Sequence, residues 1–226
     1  TRDPVDTPLV FHARTLVFVD TAGLRRQSRI KDSLEYYSVL RVARVLQEAD
    51  VALVLVDASE PLHVQDLKVA EMAWEAGCGM VLVVNKWDLV EKENKTMKEF
   101  EKYIREQIEP FTDVPIVFIS VLTKQRVFKA IETAVQVYEN RSRRVKTSEL
   151  NDLFLPIIQN YPPPAYKGKY VKIKYCMQLP TPHPQFAFFC NLPQYVKDPY
   201  KRFLENKLRE EFDFKGVPIS VYFRKK

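Results

Sequence analysis

Residues 80–90 read MVLVVNKWDLV. Met80 to Val84 are apolar without a break, and a polar turn begins at Asn85. An unbroken apolar run is what a strand covered on both faces presents, as in a parallel sheet. The same design recurs outward from this stretch, in TLVFVD at 15–20, VALVLVD at 51–57 and PIVFIS at 115–120. The intervening segments carry helical spacing instead. In YYSVLRVARVLQEAD (36–50), Val39, Val42, Val45, Leu46 and Ala49 recur three to four positions apart. VQDLKVAEMAWEAG follows, with Gly77 as its stop, and 96–109 and 125–140 supply two further helices. Strand alternating with helix predicts a doubly wound α/β sheet.

The rhythm breaks at RSRRVKTSE (141–149), which reads as a linker and divides the chain into residues 1–140 and 141–226. Beyond it, Leu150, Leu153, Phe154, Ile157 and Ile158 give a helical stripe that Pro162-Pro163-Pro164 ends. YVKIKYCM sets Val171, Ile173 and Tyr175 against Lys172 and Lys174, the alternation of a one-sided strand. FAFFCN is its expected hairpin partner, PYKRFLENKLREEF a helix with Leu204, Leu208 and Phe212 inward, and VPISVYF a last strand. Helix, two strands, helix, strand predicts a small α+β domain.

Charge separates the same two halves. Residues 1–140 hold 18 Lys+Arg and 22 Asp+Glu, a balance of −4, and residues 141–226 hold 17 and 7, a balance of +10. A basic second domain points to nucleic acid or a ribonucleoprotein, although a basic surface serves solubility too. With 46% apolar residues and no run near the ~20 needed to span a bilayer, the composition is that of an ordinary globular protein without a membrane segment. Cys78, Cys176 and Cys190 form no C-x-x-C and read as reduced packing cysteines of a cytoplasmic protein. His12, His63 and His183 stand apart and do not suggest a metal site. The chain opens at Thr1, in what reads as the middle of a longer sequence.

Two strand ends carry chemistry. After the first apolar run come Asp20, Thr21, Ala22 and Gly23. A carboxylate there can hold a water on Mg²⁺. The glycine lets the backbone approach a terminal phosphate and donate its N–H. Loss of that phosphate would free the segment, which makes a switch. After the third run come Asn85, Lys86, Trp87 and Asp88. An aspartate can accept from guanine N1–H and N2–H₂ together, a pair adenine does not offer, while the lysine stem covers the base and the asparagine ties the loop. A polar strand-to-helix turn needs no ligand, but the two boxes stand 65 positions apart in the expected order.

TRDPVDT, VDTAGLRR, YYSVLR, VVNKWDL, PPPAYKGKYVKIKY and YKRFLENKLREEFDFKG together resemble the carboxyl-terminal part of the ribosome-associated GTPase family called Der or EngA. The resemblance spans essentially the whole chain. It implies a P-loop GTPase-type doubly wound sheet, truncated at its amino end, followed by a small α+β KH-like domain. It also implies a cytoplasmic protein that binds GTP or GDP with Mg²⁺ and hydrolyses GTP. Such a protein acts in large-subunit assembly, its GTP state setting its hold on the ribosome and rRNA. By the same resemblance Thr1 falls in switch one as a Mg²⁺ ligand. Asp20 to Gly23 would be the Mg²⁺ and γ-phosphate box, Asn85, Lys86 and Asp88 the guanine box, and Ser120 and Val121 the last base-contacting loop. Val121 replaces the usual alanine but keeps a backbone N–H for the base. Leu24 stands where many small GTPases hold a water-orienting glutamine, and a leucine cannot orient water. The family resemblance supplies a K⁺ ion near the phosphates instead. A plain core role for Leu24 is equally open.

A phosphate loop requires G-x-x-x-x-G-K-[ST]. Gly23, Gly77, Gly79, Gly168 and Gly216 neither begin nor end that pattern. In the family the loop precedes the switch containing Thr1, after a first GTPase domain, so this chain alone is expected to bind nucleotide poorly or not at all. The basic domain has no G-x-x-G either, which argues against the usual KH clamp on four nucleotides. Lys167, Lys169, Lys172, Lys174, Lys201, Arg202 and Arg209 are the expected contacts to phosphates of structured rRNA. They could equally be a solvated face, or tune docking on the neighbouring GTPase domain. Two readings follow: a GTPase switch acting on pre-ribosomal particles, or a catalytically inactive chain working only as an RNA-binding module. A GTPase of tRNA modification shares the first motifs, but the carboxyl-terminal domain argues against it.

Overall fold

The computed structural model describes residues 5–20, 32–90, 96–109, 111 and 113–225. By its internal contacts the chain divides into two units, 1–134 and 135–226, with the division inside the helix that spans Val127–Ser142.

In the first unit, β3 (Val51–Asp57), β4 (Gly79–Asn85) and β5 (Ile116–Phe118) form a parallel sheet in that order. The register pairs Val51 with Gly79, Asp57 with Asn85 and Leu82 with Ile116. Successive side chains of a strand point to opposite faces. Met80, Leu82 and Val84 therefore share one core with Val42 and Leu46 of α1 (Asp32–Glu48), Ala70 and Ala73 of α2 (Val64–Glu75) and Ile104 of α3 (Thr96–Gln107). Val81 and Val83, on the opposite face, are fully buried as well. Cys78 closes the α2–β4 turn, its thiol donating to the Leu46 carbonyl at 2.8 Å. The expectation of a strand covered on both faces holds for β4. It fails for β3, where Leu55 is 56% exposed.

It fails further at the first run. β2 (Arg14–Asp20) pairs antiparallel with β1 (Val5–Phe11), from Phe11 opposite Arg14 to Val5 opposite Asp20. The two make a separate two-stranded sheet, and Val10, Val17 and Val19 are exposed. Among the described residues β2 has a ladder partner on one edge only, so an apolar run that suits burial stands at a surface. β1 gave no strand signal: Pro8 interrupts it. Its turn uses His12 and Ala13 at φ 46° and 60°, where a hairpin of this kind normally shows Asn-Gly or Asp-Gly.

The second unit contains the last part of α4 (Val127–Ser142), then α5 (Thr147–Asn160), β6 (Ile173–Gln178), β7 (Gln185–Cys190), α6 (Asp198–Glu211) and β8 (Ser220–Lys225). β6 and β7 are antiparallel, and β8 runs parallel to β7 on its other side. Leu150, Phe154, Leu204, Leu208, Phe186, Phe188 and Phe214 bury one face of this sheet. Asn151 replaces a missing neighbour of β6: its side-chain amide donates to the Cys176 carbonyl and accepts from the Cys176 N–H, at 2.8 and 2.9 Å.

The segment expected to be a linker is structured. Residues 141 and 142 complete α4, and α5 begins at Thr147. Between them the Arg144 guanidinium donates to the carbonyls of Leu179 and Thr181, at 3.1 and 2.6 Å. The Val145 N–H donates to Gln178 Oε1 at 2.8 Å. The simple alternation read in YVKIKYCM also fails. A register shift between Ile173 and Tyr175 puts Tyr175 on the other face, stacked on Phe189 with centroids 4.4 Å apart. All three cysteines are free and buried, and burial pushes the Cys176 thiol up to about 12.

Candidate functional site

The carboxyl ends of β3, β4 and β5 bring three segments together. β4 stops at Asn85 because Lys86 takes a left-handed conformation, φ 61° and ψ 31°, which no strand continues. A 3₁₀ turn, Trp87–Leu89, follows. Its anchor is Trp87, 3% exposed, with its ring 4.5 Å from Phe118 and 5.5 Å from Phe100. The Trp87 N–H donates to the Ile119 carbonyl at 3.0 Å. Trp87, predicted within the nucleotide loop, therefore places its side chain in the core and fixes the loop from beneath. Asp88 follows it in the same turn and is half-buried.

Asn85 crosses to the next loop. Its Oδ1 accepts from the Val121 N–H at 3.1 Å, so one side chain joins the Asn-Lys-x-Asp segment to the Ser-Val segment. The sequence reading kept that N–H for a base, whereas here it is bonded to Asn85. Ser120 is fully buried; its N–H donates to the Gln125 carbonyl and its Oγ accepts from the Thr123 N–H, both at 3.1 Å. Val121 is exposed beside it.

Asp57 is a member that sequence reasoning missed. It ends β3, and its carboxylate forms an ion pair with the Lys86 ammonium at 2.5 Å. It also accepts from the Ser59 N–H and hydroxyl, at 2.9 and 2.6 Å. The bonds to Lys86 and then Ser59 hold its carboxyl down at about 2, and the same contact raises Lys86 above the ordinary lysine range. The signal was present in the sequence, since VALVLVD ends on an acid as TLVFVD does. Register supplies the rest by placing Asp57 opposite Asn85.

Asp20 is exposed at the end of β2, on the antiparallel sheet. Thr1, Thr21, Ala22, Gly23 and Leu24 lie outside the described residues. An exposed carboxylate at a strand end has the hard oxygen donors that suit water-mediated Mg²⁺.

In the second unit Lys167 and Lys169 flank Gly168 in a tight turn. Lys172 precedes β6, its N–H bonded to Asn191 Oδ1 at 2.8 Å, and Lys174 is exposed on the strand. Lys201 and Arg202 lie on α6 beside Glu205, whose carboxyl burial raises. The Arg209 guanidinium donates to the carbonyls of Phe214 and Val217, at 3.3 and 3.0 Å, bracing the loop after α6. Among the described residues no helix is long and apolar enough to cross a membrane.

Comparison with known proteins places these features in a family. Residues 144–224 match the family described as the KH-domain-like carboxyl-terminal domain of EngA bacterial GTPase enzymes. Residues 36–140, containing the Asn85 and Ser120 loops but not Asp20, match the elongation factor Tu GTP-binding domain. The chain is 65% identical over all 226 residues to GTPase Der of Christiangramia forsetii, covering 52% of that protein. It is 55% identical to GTPase Der of Flavobacterium psychrophilum, again covering 52%. It therefore spans about half the length of these curated relatives. A crystal structure of Era in complex with MgGDPNP and nucleotides 1506–1542 of 16S ribosomal RNA has a TM-score of 0.53 at 18% identity. The match covers the whole of this chain and 81% of that one, and is a likeness of fold. With relatives at this identity over every residue and the EngA-type carboxyl-terminal domain in place, the chain belongs to the Der (EngA) family of GTPases.

Proposed function

We propose that this chain is the nucleotide-reading and RNA-contacting half of a longer cytoplasmic enzyme that binds and hydrolyses GTP during large-subunit assembly. In that reading GTP state sets the protein's hold on the ribosome, and a preceding GTPase domain is a partner. The observation that carries it is the Asn85–Val121 bond, which joins the two guanine-side loops into one wall. Asp88 would select guanine and Lys86 would cover the base. Asp20 and Thr1 would hold Mg²⁺, which neutralises charge on the transferring phosphate. Sequence preceding Thr1 would supply the phosphate loop, a reading supported by the half-length match to relatives. Leu24 then leaves charge stabilisation to other groups, K⁺ among them.

Titration calorimetry tests this. GDP and GTP are titrated in K⁺ buffer into this chain and into one extended upstream through a phosphate loop. Binding by the extended chain alone is expected. Comparable binding by both would withdraw the assigned phosphate roles. Binding by neither would favour a chain that works through residues 141–226 alone.

A further inference from the structure

The turn Tyr166-Lys167-Gly168-Lys169 is closed by two backbone bonds between Tyr166 and Lys169, at 3.1 and 3.0 Å. Lys167 and Gly168 both have positive φ, 48° and 73°, and a Cβ on Gly168 would meet nothing within 4 Å. The turn thus projects into open space. Its first ring, Tyr166, stacks on Tyr195, with centroids 5.5 Å apart and planes 27° from parallel. Three ammonium groups surround the pair. Lys169 lies 4.9 Å from the Tyr195 centroid and donates to its hydroxyl at 2.9 Å. Lys197 and Lys167 lie 4.8 and 5.6 Å from the Tyr166 centroid. Tyr195 and Lys197 come from the short turn before α6, far in sequence from the Tyr166 turn.

Both tyrosines are half-buried, and neither belongs to the buried core of the unit. All three lysines are exposed, and none forms an ion pair with a carboxylate among the described residues. Each cation is held only by aromatic faces and a hydroxyl, so an incoming anion displaces no stronger partner. Aromatic rings with exposed cations lying against them suit unpaired nucleotides: a base replaces an ammonium group on a ring face, and the phosphates take the charge. An acidic peptide would use the cations without the rings, and a duplex offers no free base face.

We infer that Tyr166 and Tyr195 form a stacking platform for unpaired RNA bases, with Lys167, Lys169 and Lys197 receiving the flanking phosphates. The inference rests on the reading of the basic unit as RNA-binding and names the part of it that meets bases. It also supplies a contact surface in a domain without G-x-x-G.

The test is fluorescence anisotropy of the full chain with a labelled single-stranded oligouridylate, a labelled RNA duplex of the same length, and oligoglutamate as competitor. The single strand is expected to bind in preference to the duplex. Tyr166→Ala and Tyr195→Ala should each weaken it about tenfold, while the Phe variants stay within about twofold. Lys197→Gln should flatten the logarithmic salt dependence by about 0.7. Crosslinking of a 4-thiouridine oligomer to peptides containing Tyr166 or Tyr195 gives a readout independent of any variant's folding. Single-strand binding that ignores both tyrosines but falls with Lys172→Gln and Lys201→Gln would overturn the platform and leave the RNA reading standing. Equal binding of the duplex, or competition by oligoglutamate at matched charge, would also overturn it. Absence of binding to either RNA would defeat both readings together.

Discussion

The two units answer the same physical demand differently. In the second, Phe154, Phe186, Phe188, Leu204 and Leu208 are at most 1% exposed, and the sheet face they cover is closed by α5 and α6. In the first, β4 is closed on both faces, but Leu55 of β3 is 56% exposed and Val17 of β2 59%. An apolar run therefore states what a strand is suited to bury, and the rest of the chain decides what covers it. Amphipathic elements such as α6 need only one neighbour. Doubly apolar strands need two, and the described residues of the first unit supply both only at the sheet centre.

The strongest way to break this contrast is to unfold the units separately. Both tryptophans, Trp74 and Trp87, lie in the first unit, so their fluorescence reports that unit alone. Urea should shift Trp emission at lower concentration than it removes the remaining far-ultraviolet dichroism. Phe188→Ala, emptying a fully buried site, should cost about 3–5 kcal/mol and move only the later transition. Leu82→Ala should cost about 2–5 kcal/mol and move only the earlier one. A single transition seen by both probes, shifted equally by either substitution, would show the units to be one cooperative body.

Next in size is the bond between the guanine-side loops. Asn85→Ala should cost about 1 kcal/mol, the usual net worth of such a hydrogen bond. Amide exchange at Val121 should accelerate while the β4 amides stay protected. If Val121 exchanges at the same rate in both proteins, Asn85 does not tie the loops, and the observation carrying the functional proposal is lost.

Where the sequence was legible, and where it was not, follows the same division. NKWD at the end of an apolar run located the β4 loop, and the alternation of runs and helical stripes located β3 to β5 and their helices. These signals are local and need no partner to be read. The β1–β2 hairpin was illegible because His12 and Ala13 adopt left-handed conformations without the residues that usually advertise them. Tyr175 was misread because a shift of register moves a side chain to the opposite face, and no composition marks it. Tyr195 and Lys197 were missed because their partners stand some thirty residues earlier.

A smaller effect sharpens what the open face of β3 means. Leu55→Ser in this chain should change stability by less than about 0.5 kcal/mol, as an exposed substitution does. In a chain extended upstream the same change should cost about 1.5–3 kcal/mol if preceding sequence buries that side chain. Equal small effects in both would mean that the face stays open and that the doubly wound sheet is never completed there.

The smallest expected effect is a titration. Asp57 has its carboxyl held at about 2 by Lys86 and Ser59, against an ordinary 3.8. A depressed folded value means the folded state binds the proton less readily than the unfolded chain. The pair's contribution is then complete above about pH 4 and disappears as pH falls through about 2. Lys86 is shifted the other way, so its contribution persists below the ordinary lysine range and is lost above it. Asp57→Asn should therefore lower the urea midpoint of the Trp transition by a small, constant amount between pH 5 and 8. The gap from the parent should narrow below pH 4 and close near pH 2. The pair is partly solvated, with Lys86 53% exposed, so salt should narrow the same gap at neutral pH. A gap that still closes in acid but is indifferent to salt would mean that Asp57 acts through its bonds to Ser59 alone. Lys86 would then be free to leave it without cost when a base arrives.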